Sequence, residues 1–136
     1  MRIIIAGGGE FGVRLAEELA KENEVILIEK DEGRAEYLGG KLSSIVLFGD
    51  ATDRQVLKHA NADKCDVMFA VTGDDKTNSA ICELANSFGI KKIAARLNDP
   101  GKVDLFSKSG AAAINVIDSA VKEFRKVVFE KKAPKS

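Results

Sequence analysis

The chain is poor in the residues that usually announce a chemistry. Of its 136 residues only two are cysteine and one is histidine. Cys65 and Cys82 stand 17 positions apart with His59 nearby, whereas tetrahedral zinc needs four ligands at closer spacings. No metal is expected, and the cysteines read as reduced thiols packed as small hydrophobes in a cytosolic protein. Neither sign of charge dominates, because Lys+Arg and Asp+Glu both number 21. A nucleic-acid or polybasic membrane-binding surface usually shows a net basic balance, so no nucleic-acid partner is expected. No apolar run reaches the ~18 residues of a membrane span. The first apolar run is too short for the core of a signal peptide, and glycine ends it.

What the chain does have is 45% hydrophobic residues in a regular rhythm. Runs rich in Ile and Val recur at 3–6, 25–28, 45–48, 67–71, 93–95 and 113–117. They are nearly continuous rather than alternating, which is how strands covered on both faces read. Between them lie helical periods. Phe11, Leu15 and Leu19 fall at i, i+4 and i+8, and Ile81, Leu84, Ala85 and Phe88 at i, i+3, i+4 and i+7, with Gly89 as a stop. Such alternation predicts an α/β fold, a Rossmann-like doubly wound parallel sheet of six strands with helices on both faces. Residues 1–130 make one domain, and 131–136 a disordered basic tail.

The sequence "IIIAGGGEFG" places Gly7-x-Gly9-x-x-Gly12 between the first strand and the first helix. In that setting the first glycine permits a tight turn, the second lets a pyrophosphate approach the backbone, and the third lets the helix pack close to the strand. The helix N-terminus then offers N–H groups and partial positive charge to phosphate. Glu29 follows 20 residues after Gly9, at the end of the second strand, where a carboxylate can accept both hydroxyls of an adenosine ribose. It also repels a 2′-phosphate, favouring NAD or an adenine nucleotide over NADP. Lys30 either partly offsets that repulsion or faces solvent.

Ligands of an open α/β sheet sit outside the carboxyl ends of the strands, and four later stretches belong there. In "FGDAT", Asp50 and Ala51 can meet the adenine edge. In "VTGDDKTN", Thr72 and Gly73 can line ribose and phosphate, while Asp74 or Asp75 can cap the next helix. "AARLNDP" ends the fifth strand with Arg96, which can reach phosphate or pair with an acid. "NVIDSA" closes the sixth. The loops around Asp50, Gly73 and Asn98 are expected to be the mobile ones.

Together with "VILIEKD" and "SGAAAINVI", these stretches are similar to the nucleotide-binding N-terminal domain (TrkA-N or RCK type) of Trk/Ktr potassium-uptake regulators, over residues 1 to 128. The resemblance implies binding of NAD(H) or AMP/ADP and control of a membrane potassium transporter or channel. It implies contacts at Gly7, Gly9, Phe11, Gly12, Glu29, Asp50, Ala51, Thr72, Gly73 and Arg96. Many relatives carry a basic residue where Glu10 stands against the phosphates, and an acid there disfavours ATP. The resemblance also implies a cytoplasmic subunit held at the inner membrane face by its partner. It leaves a short stand-alone subunit and a piece of a longer chain both open.

The last helical stretch has Val121, Phe124 and Val128 at i, i+3 and i+7, with Val127 and Phe129 adding apolar width. One stripe can cover the chain's own sheet; the extra width predicts a homodimer or higher homo-oligomer. The alternative function is the cofactor-binding half of an NAD-dependent oxidoreductase. Against an enzyme stand Tyr37 and Lys41, which precede the third strand instead of following the fourth, and the lone His59.

Overall fold

The computed structural model describes residues 1–130; the tail expected at 131–136 lies outside them. Six strands form one sheet: β1 (Arg2–Ala6), β2 (Glu24–Glu29), β3 (Ile45–Phe48), β4 (Val67–Ala70), β5 (Lys92–Arg96) and β6 (Ala112–Ile114). Their order is β3-β2-β1-β4-β5-β6, and every pairing is parallel. The expected six-stranded Rossmann-like sheet is therefore present. The order reverses between β1 and β4, which opens a crevice at their carboxyl ends.

Both sheet faces are covered, which explains the unbroken apolar runs. On one face Ile3, Ile5, Val25 and Leu27 pack with Val13 and Ala16 of α1 (Glu10–Leu19) and Leu38 of α2 (Glu32–Lys41). On the other, Ile4, Ile28, Met68 and Ile93 pack with Leu57 of α3 (Arg54–His59) and Ile81, Cys82 and Ala85 of α4 (Asp75–Ser87). Phe106, from the 3-10 helix Pro100–Phe106, closes that second layer. Gly89, with φ +84, ends α4 as its sequence position predicts.

Burial pushes the Cys82 thiol up to about 12. Cys65 is half-buried, its thiol also raised by burial, and its Sγ donates to the Val67 carbonyl at 3.0 Å. Both are free thiols spent on packing.

Three expectations need correction. The sixth strand ends at Ile114, not Ile117, because the Asn115 side chain accepts from the Asp118 amide at 2.8 Å and starts α5 (Val116–Phe129) there. Phe11 is not part of the buried stripe of α1; it sits on the exposed first turn, and Gly12, Val13 and Ala16 form the buried face. Finally, α5 buries no residue at all, so it does not cover its own sheet. Ile117, Val121, Phe124 and Val128 lie along it with Phe124 76% exposed.

Candidate functional site

The glycine turn shows three different reasons for a missing side chain. Gly7 has φ +120, a conformation that L side chains rarely adopt. Gly12 is buried on α1, and a Cβ there would run into the Gly7 carbonyl oxygen. Gly9 has extended backbone, and a Cβ built on it meets nothing within 4 Å. No packing contact among the described residues requires a glycine at 9.

Gly8 carries a role that the motif spacing does not reveal. A Cβ there would lie 2.7 Å from Glu29 Oε1 and 2.9 Å from Leu38 Cδ1. Its N–H donates to Glu29 Oε1 at 2.9 Å, and the Asp31 N–H donates to Glu29 Oε2 at 2.6 Å. Two backbone amides thus hold the carboxylate at the end of β2, each oxygen keeping a further lone pair. Arg34 on α2 completes the lock, its Nε donating to the Gly8 carbonyl at 2.9 Å. The unbroken run of three glycines, with Gly8 at its middle, was the visible sign for Gly8. Arg34 carried no sign, since a helical arginine usually faces solvent.

The helices around the sheet differ at their N-termini. Asp31, Asp53, Asp74 and Asn115 cap α2, α3, α4 and α5 with their side chains. No side chain caps α1, so the amides of its first turn are left to water or to a ligand.

Around this turn the structure gathers the candidates into one cleft of about 540 Å³ at the carboxyl edge of the sheet. Gly7, Gly9, Glu10, Phe11, Glu29, Lys30, Asp50, Ala51, Thr72, Gly73 and Arg96 all line it; Gly12 lies behind the turn. Lys30 Nζ stands 3.7 Å from Asp50 Oδ2 with its side chain largely exposed. Thr52, through its hydroxyl and amide, and Lys30 hold the Asp50 carboxyl below the usual range. Arg96 makes no ion pair among the described residues; its guanidinium carbon lies 5.6 Å from the centre of the Phe11 ring. Tyr37 and His59 lie outside the cleft, both exposed.

The loops after β4 and β5, expected to be the freer ones, are tied to each other by side-chain hydrogen bonds. Asn78 is 0% exposed. Its Oδ1 accepts from the Thr72 amide and hydroxyl at 2.9 and 2.6 Å. Its Nδ2 donates to the carbonyls of Thr72 and Arg96 at 3.0 and 2.9 Å. Asp74 caps α4 by accepting from the Thr77 amide. Asp75, only 4% exposed, does not cap; it accepts from the amides of Asn98 and Asp99 at 2.6 and 2.8 Å. Burial alone would raise the Asp75 carboxyl, but these donors and the Asn98 side chain outweigh it and hold it below the usual range. Thr72 and Arg96 therefore present themselves to the cleft from one cross-linked unit.

A second cavity, at the amino-terminal edge of the strands, is lined by Ile4, Ile26, Ile45 and Cys65 among others and contains no candidate residue. No group of three or more His, Cys, Asp or Glu that could hold a metal occurs among the described residues.

The TrkA-N domain family model matches residues 3–117. Over 104 residues the chain is 40% identical to the Trk system potassium uptake protein TrkA homolog of Archaeoglobus fulgidus, covering 76% of this chain and 24% of the relative. The chain spans about a quarter of the length of this and similar curated relatives. Solved structures share the fold. The GsuK channel bound to NAD superposes with a TM-score of 0.76 at 20% identity, over 85% of this chain and 21% of the channel. The Kef CTD of Shewanella denitrificans in its AMP-bound form superposes with a TM-score of 0.73 at 22% identity, over 96% and 84%.

Proposed function

The chain belongs to the TrkA-N domain family, and on that footing we propose that residues 1–130 form a nucleotide-binding regulatory domain that reports NAD(H) or AMP/ADP to a potassium transporter or channel. The observation that carries the reading is Gly9: a bare backbone position at an uncapped helix N-terminus, unexplained by the protein's own packing. A nucleotide phosphate seated there, single in AMP and paired in NAD or ADP, explains it. The held Glu29 carboxylate then receives the adenosine ribose, with Asp50 and Ala51 toward the adenine and Thr72, Gly73 and Arg96 toward the phosphates. Glu10, in the first turn of α1, disfavours a triphosphate. NAD-bound and AMP-bound structures with the same fold support the ligand class, and the curated relatives' names support the potassium-transport role.

We read the domain as a binding module rather than an enzyme: Tyr37 and His59, the residues a dehydrogenase would draw on for proton transfer, both lie outside the cleft. No helix among the described residues is long and apolar enough to cross a membrane. A cytoplasmic place beneath a membrane partner follows from the regulatory reading.

Two measurements test this. Calorimetry should show NAD or AMP binding more tightly than NADP, and Glu29→Gln should weaken both by about 1–3 kcal/mol, the worth of charge-assisted hydrogen bonds to the ribose. Tighter NADP binding overturns the Glu29 assignment. In vesicles holding the host's potassium-uptake membrane protein, adding this protein should make ion flux depend on NAD(H), AMP or ADP. Unchanged flux under every nucleotide, ATP included, sinks the regulatory part.

The exposed apolar face of α5 fits a second copy of this chain. Its residues Ile117, Val121, Phe124, Val128 and Phe129 are all more than half exposed, whereas a helix of a monomer normally buries such a stripe. A two-fold dimer is the default arrangement. Light scattering should give a dimer at high micromolar concentration, and Phe124→Asp should shift it to monomer. A wild-type monomer under those conditions removes the dimer from the proposal.

A further inference from the structure

Because no residue of α5 is fully buried against its own domain, something other than packing on its own sheet must set its direction. The described contacts point to one side chain. Asn115 Oδ1 accepts from the Asp118 amide at 2.8 Å and caps α5. Its Nδ2 donates to the Leu97 carbonyl at 3.1 Å. Leu97 directly follows Arg96 and is itself buried, its amide bonded to the Ile114 carbonyl at 2.8 Å. The Arg96 carbonyl is held by Asn78 Nδ2, and Asn78 also grips Thr72 on the far side of the cleft. An unbroken series of hydrogen bonds therefore runs from the cleft wall through Asn78, the Arg96–Leu97 backbone and Asn115 to the first turn of α5.

We infer that Asn115 is a positioning residue that ties the direction of α5 to the state of the nucleotide cleft. A ligand that draws in Arg96 or Thr72 moves a unit already cross-linked by Asn78. Leu97 moves with Arg96, and Asn115 carries that displacement into α5 because one amide group serves as both cap and link. A helix packed on its own sheet would resist such a shift; α5 has no such anchor. The inference rests on the nucleotide-binding reading of the cleft.

The two functions of the amide can be separated. An aspartate caps a helix as well as an asparagine does, but its carboxylate cannot donate to the Leu97 carbonyl. Asn115→Ser also caps, and its short hydroxyl cannot do both. The full chain and both variants would be titrated with AMP and with NAD by calorimetry. Hydrogen–deuterium exchange would then be followed at the amides of residues 116–121 with and without saturating AMP. For the wild type, AMP should change exchange at these amides at least threefold. In N115D and N115S the AMP dissociation constant should stay within twofold of wild type while the exchange response disappears. An equal response in wild type and both variants overturns the inference, as does a wild type that binds AMP with no change in α5. Failure of the wild type to bind either AMP or NAD is a separate result, which sinks the functional reading beneath it.

Discussion

Gly9→Val is expected to weaken NAD and AMP binding at least a hundredfold, equivalent to about 2.7 kcal/mol, while leaving the fold intact. The backbone at Gly9 is extended with φ −74, which valine adopts without strain. A Cβ there finds open space, so no core contact is disturbed. The stability cost is limited to the poorer N-cap, about 1 kcal/mol. The branched side chain would stand where the nucleotide's phosphate must come against the backbone and would cover the first amides of α1. Calorimetry and thermal melting on the same sample decide the matter. A variant that binds as well as the parent would reduce the glycine turn to a packing device.

Gly12→Ala should do the opposite and damage the fold first. Two effects compete at this position. In a helix interior, alanine is better than glycine by about 1 kcal/mol. Against that, the added Cβ lands on the Gly7 carbonyl oxygen, a backbone atom held because the Gly8 amide in the same peptide plane is bonded to Glu29 Oε1 at 2.9 Å. The obstacle cannot rotate away as a side chain would, so α1 must lift from the sheet and loosen Val13 and Ala16. Overpacking of this kind costs about 1–3 kcal/mol or more, and with a rigid partner the upper end applies. The net loss should be about 2 kcal/mol, a fall in melting temperature of roughly 5–10 °C for a domain of this size. A melting temperature equal to or above the parent's would show that the turn yields and that helix propensity wins.

These two glycines, three residues apart in one motif, illustrate how far the sequence could be read. Their spacing after an apolar run and before a helical period was enough to place the turn. It could not distinguish a glycine needed by the fold from one left bare for a ligand, because that depends on which atom stands opposite each Cβ. Glu29 was legible as an acid at the end of the second strand. That Gly8 and Asp31 amides hold it was not, since the contact joins two strand ends. Asp74 and Asp75 looked equivalent as adjacent acids before a helix; only the position of the Asn98–Asp99 backbone makes one a cap and the other a cross-link.

By itself, the amino-acid order determined the layering of the protein. Unbroken Ile/Val runs between helical periods admit few arrangements besides a parallel sheet covered on both faces. The strand–glycine turn–helix succession then puts the glycines at the carboxyl edge, since they directly follow the first strand and all strands of a parallel sheet end on the same side. The strand boundary at Asn115 and the fate of α5 were decided only by tertiary structure. A stripe at Ile117, Val121, Phe124 and Val128 states that one side of a helix is apolar, but hydrophobic periodicity is a property of the segment alone. What covers such a face depends on where the preceding strand releases the chain. The short β6 and the Asn115 cap release it away from the sheet, leaving the apolar face of α5 outward.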